Sequence, residues 1–182
     1  MSDWQNHLEK AMAYHGHICS GQILGIRMSL LGLKLLDLHP DDDLRDLVLF
    51  LESDRCVADA AYVVTGLTLG RRRVKVYPYG KMAMSFLHLK TGKAFRVWIH
   101  NRDRPPKGAD LAEFWKTYDD EALFAWRAVA IALPEHELPG PPLRVALCTV
   151  CGEEILDCKE VESGGQILCL ACAGPAYYTP LE

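Results

Sequence analysis

Apolar residues recur at Ile23, Leu24, Ile26, Leu30, Leu31, Leu33 and Leu35 with the three-to-four spacing of one helical face. That pattern predicts a long, mostly buried helix over 20–36, with Ser20 placed to cap its start. The run Leu47-Val48-Leu49-Phe50-Leu51 is uniformly apolar and only five residues long, which favours a buried strand over a helix continuing from Asp41. An alanine-rich stretch from Cys56 to Val64 then reads as a helix stopped by Gly66. Residues 74–77, 81–89 and 94–100 alternate or carry β-branched and aromatic side chains, with Lys90-Thr91-Gly92-Lys93 as a hairpin turn, so three antiparallel strands are expected. Helical spacing returns over 110–133 through Leu111, Phe114, Trp115, Leu123, Trp126, Val129 and Ala130. The fold class that follows is α+β, with helices around a mixed, largely antiparallel sheet.

This regular patterning ends at Leu133-Pro134-Glu135-His136-Glu137-Leu138-Pro139-Gly140-Pro141-Pro142, where four prolines and a glycine sustain neither helix nor strand. The expected organisation is a core domain over 1–133, a Pro-rich linker over 134–143 and a small C-terminal module over 144–182. The whole chain has 182 residues, of which 49% are hydrophobic and 24% charged, enough to fill a core. Its formal charge is −4, with no single-sign block, which excludes a polybasic nucleic-acid or membrane-surface role. The first residues lack a basic stretch followed by an apolar run, and the most apolar segment, 23–38, is interrupted by Arg27 and Lys34. The expectation is a cytoplasmic protein with no membrane span.

Seven cysteines are present, an odd number, and four of them form two Cys-x-x-Cys pairs separated by 17 residues: Cys148 and Cys151, then Cys169 and Cys172. In a chain read as cytoplasmic, this spacing points to four thiolates around one tetrahedral ion instead of a disulfide framework. A module of this size is too small to fold on a hydrophobic core alone, so a metal staple is expected. Treble-clef-like and rubredoxin-like arrangements both fit. Zinc is the expected ion and iron the weaker alternative, because a four-sulfur site accepts either. Acids outnumber bases six to two from Arg144 onward, the wrong sign for gripping phosphate. Cys158, between the pairs, is assigned no role.

A second constellation lies in the core. Tyr14-His15-Gly16-His17-Ile18-Cys19-Ser20-Gly21 places His15, His17 and Cys19 at alternate positions, sharing one face if the segment is extended. Gly16 and Gly21 favour that extended or turning course. Asp54-Arg55-Cys56-Val57-Ala58-Asp59 opens the next helix, where Cys56 and Asp59, three apart, face the same way. If the two helix starts converge, His17, Cys19 and Cys56 form a metal or reactive-thiol centre with a fourth position open. His15 and Asp59 are the nearest candidates for a further ligand or a proton-transfer role. Cys19, Cys56 and Asp59 are the candidate catalytic residues.

These two motifs, followed in order by Thr65-Gly66-Leu67-Thr68-Leu69-Gly70 and Tyr79-Gly80-Lys81-Met82-Ala83, resemble the formylmethanofuran dehydrogenase E-subunit family. The four-cysteine tail also resembles an appendage of many members. The resemblance implies an α+β core, a metal or redox-suited centre at the His/Cys cluster with zinc as the expected second ion, and a homodimer. No pterin-cofactor motif is present, so the chain is not itself a molybdenum or tungsten catalyst. The reading is a metal-binding accessory protein, with redox or catalytic chemistry in the core and a larger redox enzyme complex as partner. Whether it is an enzyme stays open. The alternative is a non-enzymatic binding or sensing module that docks on a complex through its finger.

Overall fold

The computed structural model describes residues 3–181; Met1, Ser2 and Glu182 lie outside it. The described chain divides into two compact units, with the boundary between Ala132 and Leu133.

The first unit opens with α1 (Asp3–His15) and α2 (Ser20–Leu35), followed by β1 (Leu47–Leu51), α3 (Cys56–Thr65), β2 (Val74–Val76), β3 (Ala83–His88) and β4 (Ala94–Ile99). Two short helices, α4 (Leu111–Lys116) and α5 (Asp120–Leu123), lead into β5 (Phe124–Ala128). The five strands form one sheet in the order β2-β1-β3-β4-β5, parallel between β1 and β2 and antiparallel elsewhere. The first of the three strands expected to be antiparallel, β2, instead pairs in parallel with β1 at the sheet edge, because it returns to the sheet through the α3 crossover. The fold is thus α+β with a mixed sheet, as the pattern predicts. Leu47, Leu49 and Leu51 of β1 and Met84 and Phe86 of β3 pack with Ile23, Ile26 and Met28 of α2 in the main core. All five residues of β1 are buried, which is why it reads as an unbroken apolar run instead of an alternating one.

Two further elements differ from expectation. The helix α1 is absent from the sequence reading; its inward stripe is only Trp4, Leu8 and Ala11, too small a contrast to stand out among polar neighbours. The single helix expected over 110–133 is instead α4, α5 and a strand. The Asp119 side chain accepts from Ala122 N–H and restarts the helix. Phe124 and Trp126 then share a sheet face at period two, with Val97 opposite Trp126 on β4. Leu123 and Trp126 are three apart, a separation that fits a helix equally well, so their spacing misleads.

Arg27, only 6% exposed, is drawn from α2 into a set of distant acceptors. It donates to the Trp115 carbonyl at 2.7 Å, the Tyr118 carbonyl at 2.8 Å and Asp120 Oδ1 at 2.6 Å. Trp115 Nε1 in turn donates to Ser20 Oγ at 2.9 Å. These bonds satisfy a buried cation that would otherwise be costly.

The second unit contains β6 (Val145–Leu147), β7 (Glu154–Leu156), β8 (Val161–Ser163), β9 (Gln166–Leu168) and a single helical turn, α6 (Leu170–Ala173). β6 with β7, and β8 with β9, form two antiparallel ribbons. The buried core consists of Cys148, Ile155 and Leu168. Between β7 and β8, Asp157 and Cys158 both hold positive φ, 60° and 55°, and Lys159 N–H closes the turn on the Leu156 carbonyl at 3.2 Å. Such a mirror-image turn favours glycine at its second central position. Cys158→Gly is therefore expected to slow amide exchange across this turn about threefold, what remains of a relieved strain of ~1–2 kcal/mol after the added unfolded-state freedom offsets part of it. Faster exchange at Lys159 and Val161 would refute that.

Candidate metal centres

In the second unit, β6 runs into the knuckle Cys148-Thr149-Val150-Cys151-Gly152, where Gly152 takes φ +76° and its N–H donates to the Cys148 carbonyl at 2.9 Å. The second pair arrives differently: Cys169 caps α6 and Cys172 lies within it, after the β8–β9 hairpin. One knuckle plus one helix start is the treble-clef arrangement, not the paired knuckles of a rubredoxin. The four sulfurs all lie within 4.8 Å of one another, and those of Cys151 and Cys169 are 3.9 Å apart. Bonds of about 2.3 Å to a tetrahedral zinc would set sulfurs about 3.8 Å apart, so the group is spaced for such an ion.

Electrostatics in the finger point the same way. Backbone N–H groups of Cys151 and Cys169 pull the Cys148 thiol down to about 6. Cys172 is pushed up to about 12, first by the Cys169 thiol beside it. Four thiols this close cannot all ionise unless a cation joins them, and a bound cation is what reverses such a conflict.

The core cluster is built at the connection between α1 and α2. His15 ends α1, Gly16 takes φ +87° as its N–H closes on the Met12 carbonyl at 2.9 Å, and the chain turns through His17 and Ile18. Cys19, extended at φ −147° and ψ 161°, occupies the cap position expected of Ser20. This turn gathers His15, His17 and Cys19 with ligand atoms within 4.8 Å of one another, the imidazole centroids 4.6 Å apart. Asp59 reaches across from α3, with 2.7 Å between its Oδ2 and His15 Nδ1. That contact assigns the proton to Nδ1, and it leaves Nε2 buried with no hydrogen-bond partner. An imidazole fixed by a carboxylate on one nitrogen and bare on the other is the arrangement found behind metal-bound histidines.

Cys56, the first residue of α3, stands beside Cys19 and outside the compact set of three. Gly21 explains how it gets so near: a Cβ there would lie 3.0 Å from Cys56 Cβ, 3.5 Å from Cys56 Sγ and 3.7 Å from Cys19 Sγ. Gly21 thus serves close helix packing within α2 and not the turning course expected of it. Burial, then the neighbouring Cys19 thiol, push the Cys56 thiol above its ordinary value. The expected grouping of His17, Cys19 and Cys56 is accordingly rearranged, with His15 moved to the centre and Cys56 to the side. Gln22 is an addition that the sequence reading misses. It is fully buried and donates to the Cys56 carbonyl at 3.0 Å, tying the start of α3 to α2. A glutamine inside an apolar helix face is the signal that could have found it.

The model of the FmdE family, described as molybdenum formylmethanofuran dehydrogenase operon, matches residues 14–136. The chain belongs to the FmdE family. The matched span begins at the Tyr14-His15 turn and so takes in the whole His/Cys cluster. Among solved structures, a protein of Syntrophus aciditrophicus described as like FmdE of a tungsten formylmethanofuran dehydrogenase superposes with a TM-score of 0.63. At 24% identity, covering 97% of this chain and 95% of that one, it shows the fold. A curated relative from Archaeoglobus fulgidus, described as a probable S-adenosyl-L-methionine-binding protein, is 27% identical over 206 residues. The alignment takes in 93% of this chain and 53% of the relative, so this FmdE chain spans about half the length of that protein. No helix among the described residues is long and apolar enough to cross a membrane.

Proposed function

We propose that this FmdE-family protein is a cytoplasmic, homodimeric accessory protein with two metal sites: a structural zinc in the finger and a second, zinc-class ion in the core. The observation that carries the core site is His15, braced by Asp59 at Nδ1 and left with a buried, unpartnered Nε2 beside His17 and Cys19. Two imidazoles and a thiolate suit zinc, and three protein ligands leave a position for water or substrate. When bound, such an ion supplies Lewis acidity or a water acidified toward neutral pH. The protein's part is to hold the imidazole tautomer through Asp59 and to expose His17 at the rim. Service to a larger redox enzyme such as formylmethanofuran dehydrogenase is the reading that the family's description, which names that enzyme's operon, supports.

The test is elemental analysis of the intact chain. Two zinc ions per chain are expected for the native protein and one for His15→Ala; one per chain in the native protein would rule out the core site. Asp59→Asn should keep both sites but weaken the core one about 10–100-fold, as loss of a bracing carboxylate typically does. A chelator titration that leaves its affinity unchanged would remove Asp59 from that role. The docking alternative is favoured by one feature of the finger, where Leu147, Val150 and Leu170 are each more than 60% exposed.

A further inference from the structure

The start of α3 is pressed against the start of α2 by two glycines. Besides Gly21, a Cβ at Gly25 would lie 2.7 Å from Ala60 Cβ and 3.1 Å from Val57 Cα. The Gln22 amide bonded to the Cys56 carbonyl fixes the same junction. Cys19 and Cys56 therefore open helices of 16 and 10 residues that meet at their N-terminal ends, and both sulfurs lie within 3.7 Å of one point beside Gly21. Both are free thiols and both are partly exposed. Cys19 is thus shared between two neighbourhoods, the imidazoles of His15 and His17 on one side and a second thiol on the other. A sulfur in a disulfide is neutral and no longer a good ligand, so the two neighbourhoods compete for it.

We infer that Cys19 and Cys56 are a reversible dithiol–disulfide pair, and that closing the disulfide withdraws Cys19 from the core metal and releases the ion. The second half of this rests on the proposed core metal site; the first half does not. The oxidant is a low-molecular-weight disulfide, for which oxidised glutathione is the probe. The Cys56 thiolate, which lies outside the ligand set, attacks a glutathione sulfur, forming a Cys56–glutathione mixed disulfide and expelling one glutathione thiolate. The other protein thiolate then attacks the protein-side sulfur, forming the Cys19–Cys56 bond and expelling the second glutathione. The two protein thiols lose two electrons and two protons, and oxidised glutathione becomes two reduced glutathiones. With only His15 and His17 left as ligands, core zinc affinity falls by at least ~100-fold, beyond the loss expected from a missing outer partner. Reducing agent reverses each step. The arrangement makes core occupancy a readout of thiol redox poise, the transient use of disulfides usual in reducing compartments.

The experiment uses the full-length, zinc-loaded protein, a zinc indicator and peptide mapping by mass spectrometry after alkylation. Oxidised glutathione is expected to release one of two zinc ions and yield a linked Cys19–Cys56 peptide, with the finger cysteines unlinked and zinc-bound. Dithiothreitol should restore the second ion. Cys56→Ser should hold two zinc ions before and after the same treatment. The pair is overturned if Cys19 and Cys56 are recovered free or as separate glutathione adducts. Its coupling to metal is overturned if Cys56→Ser releases core zinc as the native chain does, or holds only one zinc when reduced, since Cys56 would then be a ligand. Failure of the core metal site alone looks different: reduced native protein would carry one zinc, while the linked peptide would still form.

Discussion

Removing the finger's ion, by strong chelation or by Cys169→Ser, is expected to unfold residues 144–181 and leave the sheet of the first unit intact. Among its described residues the module buries only Cys148, Ile155 and Leu168, and one of these three is itself a candidate ligand. Four-residue and three-residue elements cannot hold their shape on so small a core, whereas binding a structural zinc contributes about 10–16 kcal/mol of apparent free energy near pH 7. The consequence should be close to all-or-none. Acid should do the same, because protons compete with the ion for the four thiolates and a protonated thiol is no longer a ligand. Limited proteolysis with a zinc count reads the outcome. A Cys169→Ser tail that resists protease and keeps its full metal would sink the prediction.

Gly32→Ala is expected to destabilise the first unit by about 3 kcal/mol, lowering its melting temperature by roughly 10 °C. In an ordinary helix interior the same change adds up to ~1 kcal/mol of stability. Here the added Cβ would lie 2.1 to 2.4 Å from three atoms of the Phe86 ring, which is fully buried on β3 near the middle of the sheet. Neither ring nor helix can yield by more than an ångström in so dense a core without losing contacts elsewhere. Gly70→Ala is the internal control, because nothing lies within 4 Å of its Cβ position. Equal melting temperatures for Gly32→Ala and the native protein would show that the helix–sheet gap is not fixed by this contact.

Features written in local spacing are legible from the residues alone. The two Cys-x-x-Cys pairs name four sulfurs whose convergence needs only a knuckle and a helix start, and β1, α2 and α3 announce themselves by unbroken or helical apolar runs. What stays hidden depends on partners far along the chain. Trp126 reads as helical until β4 is placed beside it, and α1 shows too few apolar residues until α2 and α3 cover Trp4 and Ala11. In the core cluster, His15, Cys19, Cys56 and Asp59 are all visible as candidates. Their order of importance is not, because it turns on the 2.7 Å contact from Asp59 to His15 across 44 residues, which no spacing rule reports. Gly21 shows the same limit: a glycine beside a turn motif looks like part of the turn, and only the approach of Cys56 reveals what it makes room for.

The bonds that hold α2 in place also set a timetable. Arg27 finds its acceptors 88 to 93 residues later in the chain, and Ser20 receives the Trp115 indole from 95 residues away. At ~5–20 residues per second on a ribosome, α2 would wait on the order of 5–20 seconds for that segment to emerge. During that interval its guanidinium has no buried partner, so the helix cannot settle into its final seat. Assembly of the first unit should therefore finish from its C-terminal side, with loop closure over nearly the whole unit as the slow event. Chains cut before Asp120 should leave α2 loosely docked, its amides exchanging many times faster than in the complete protein.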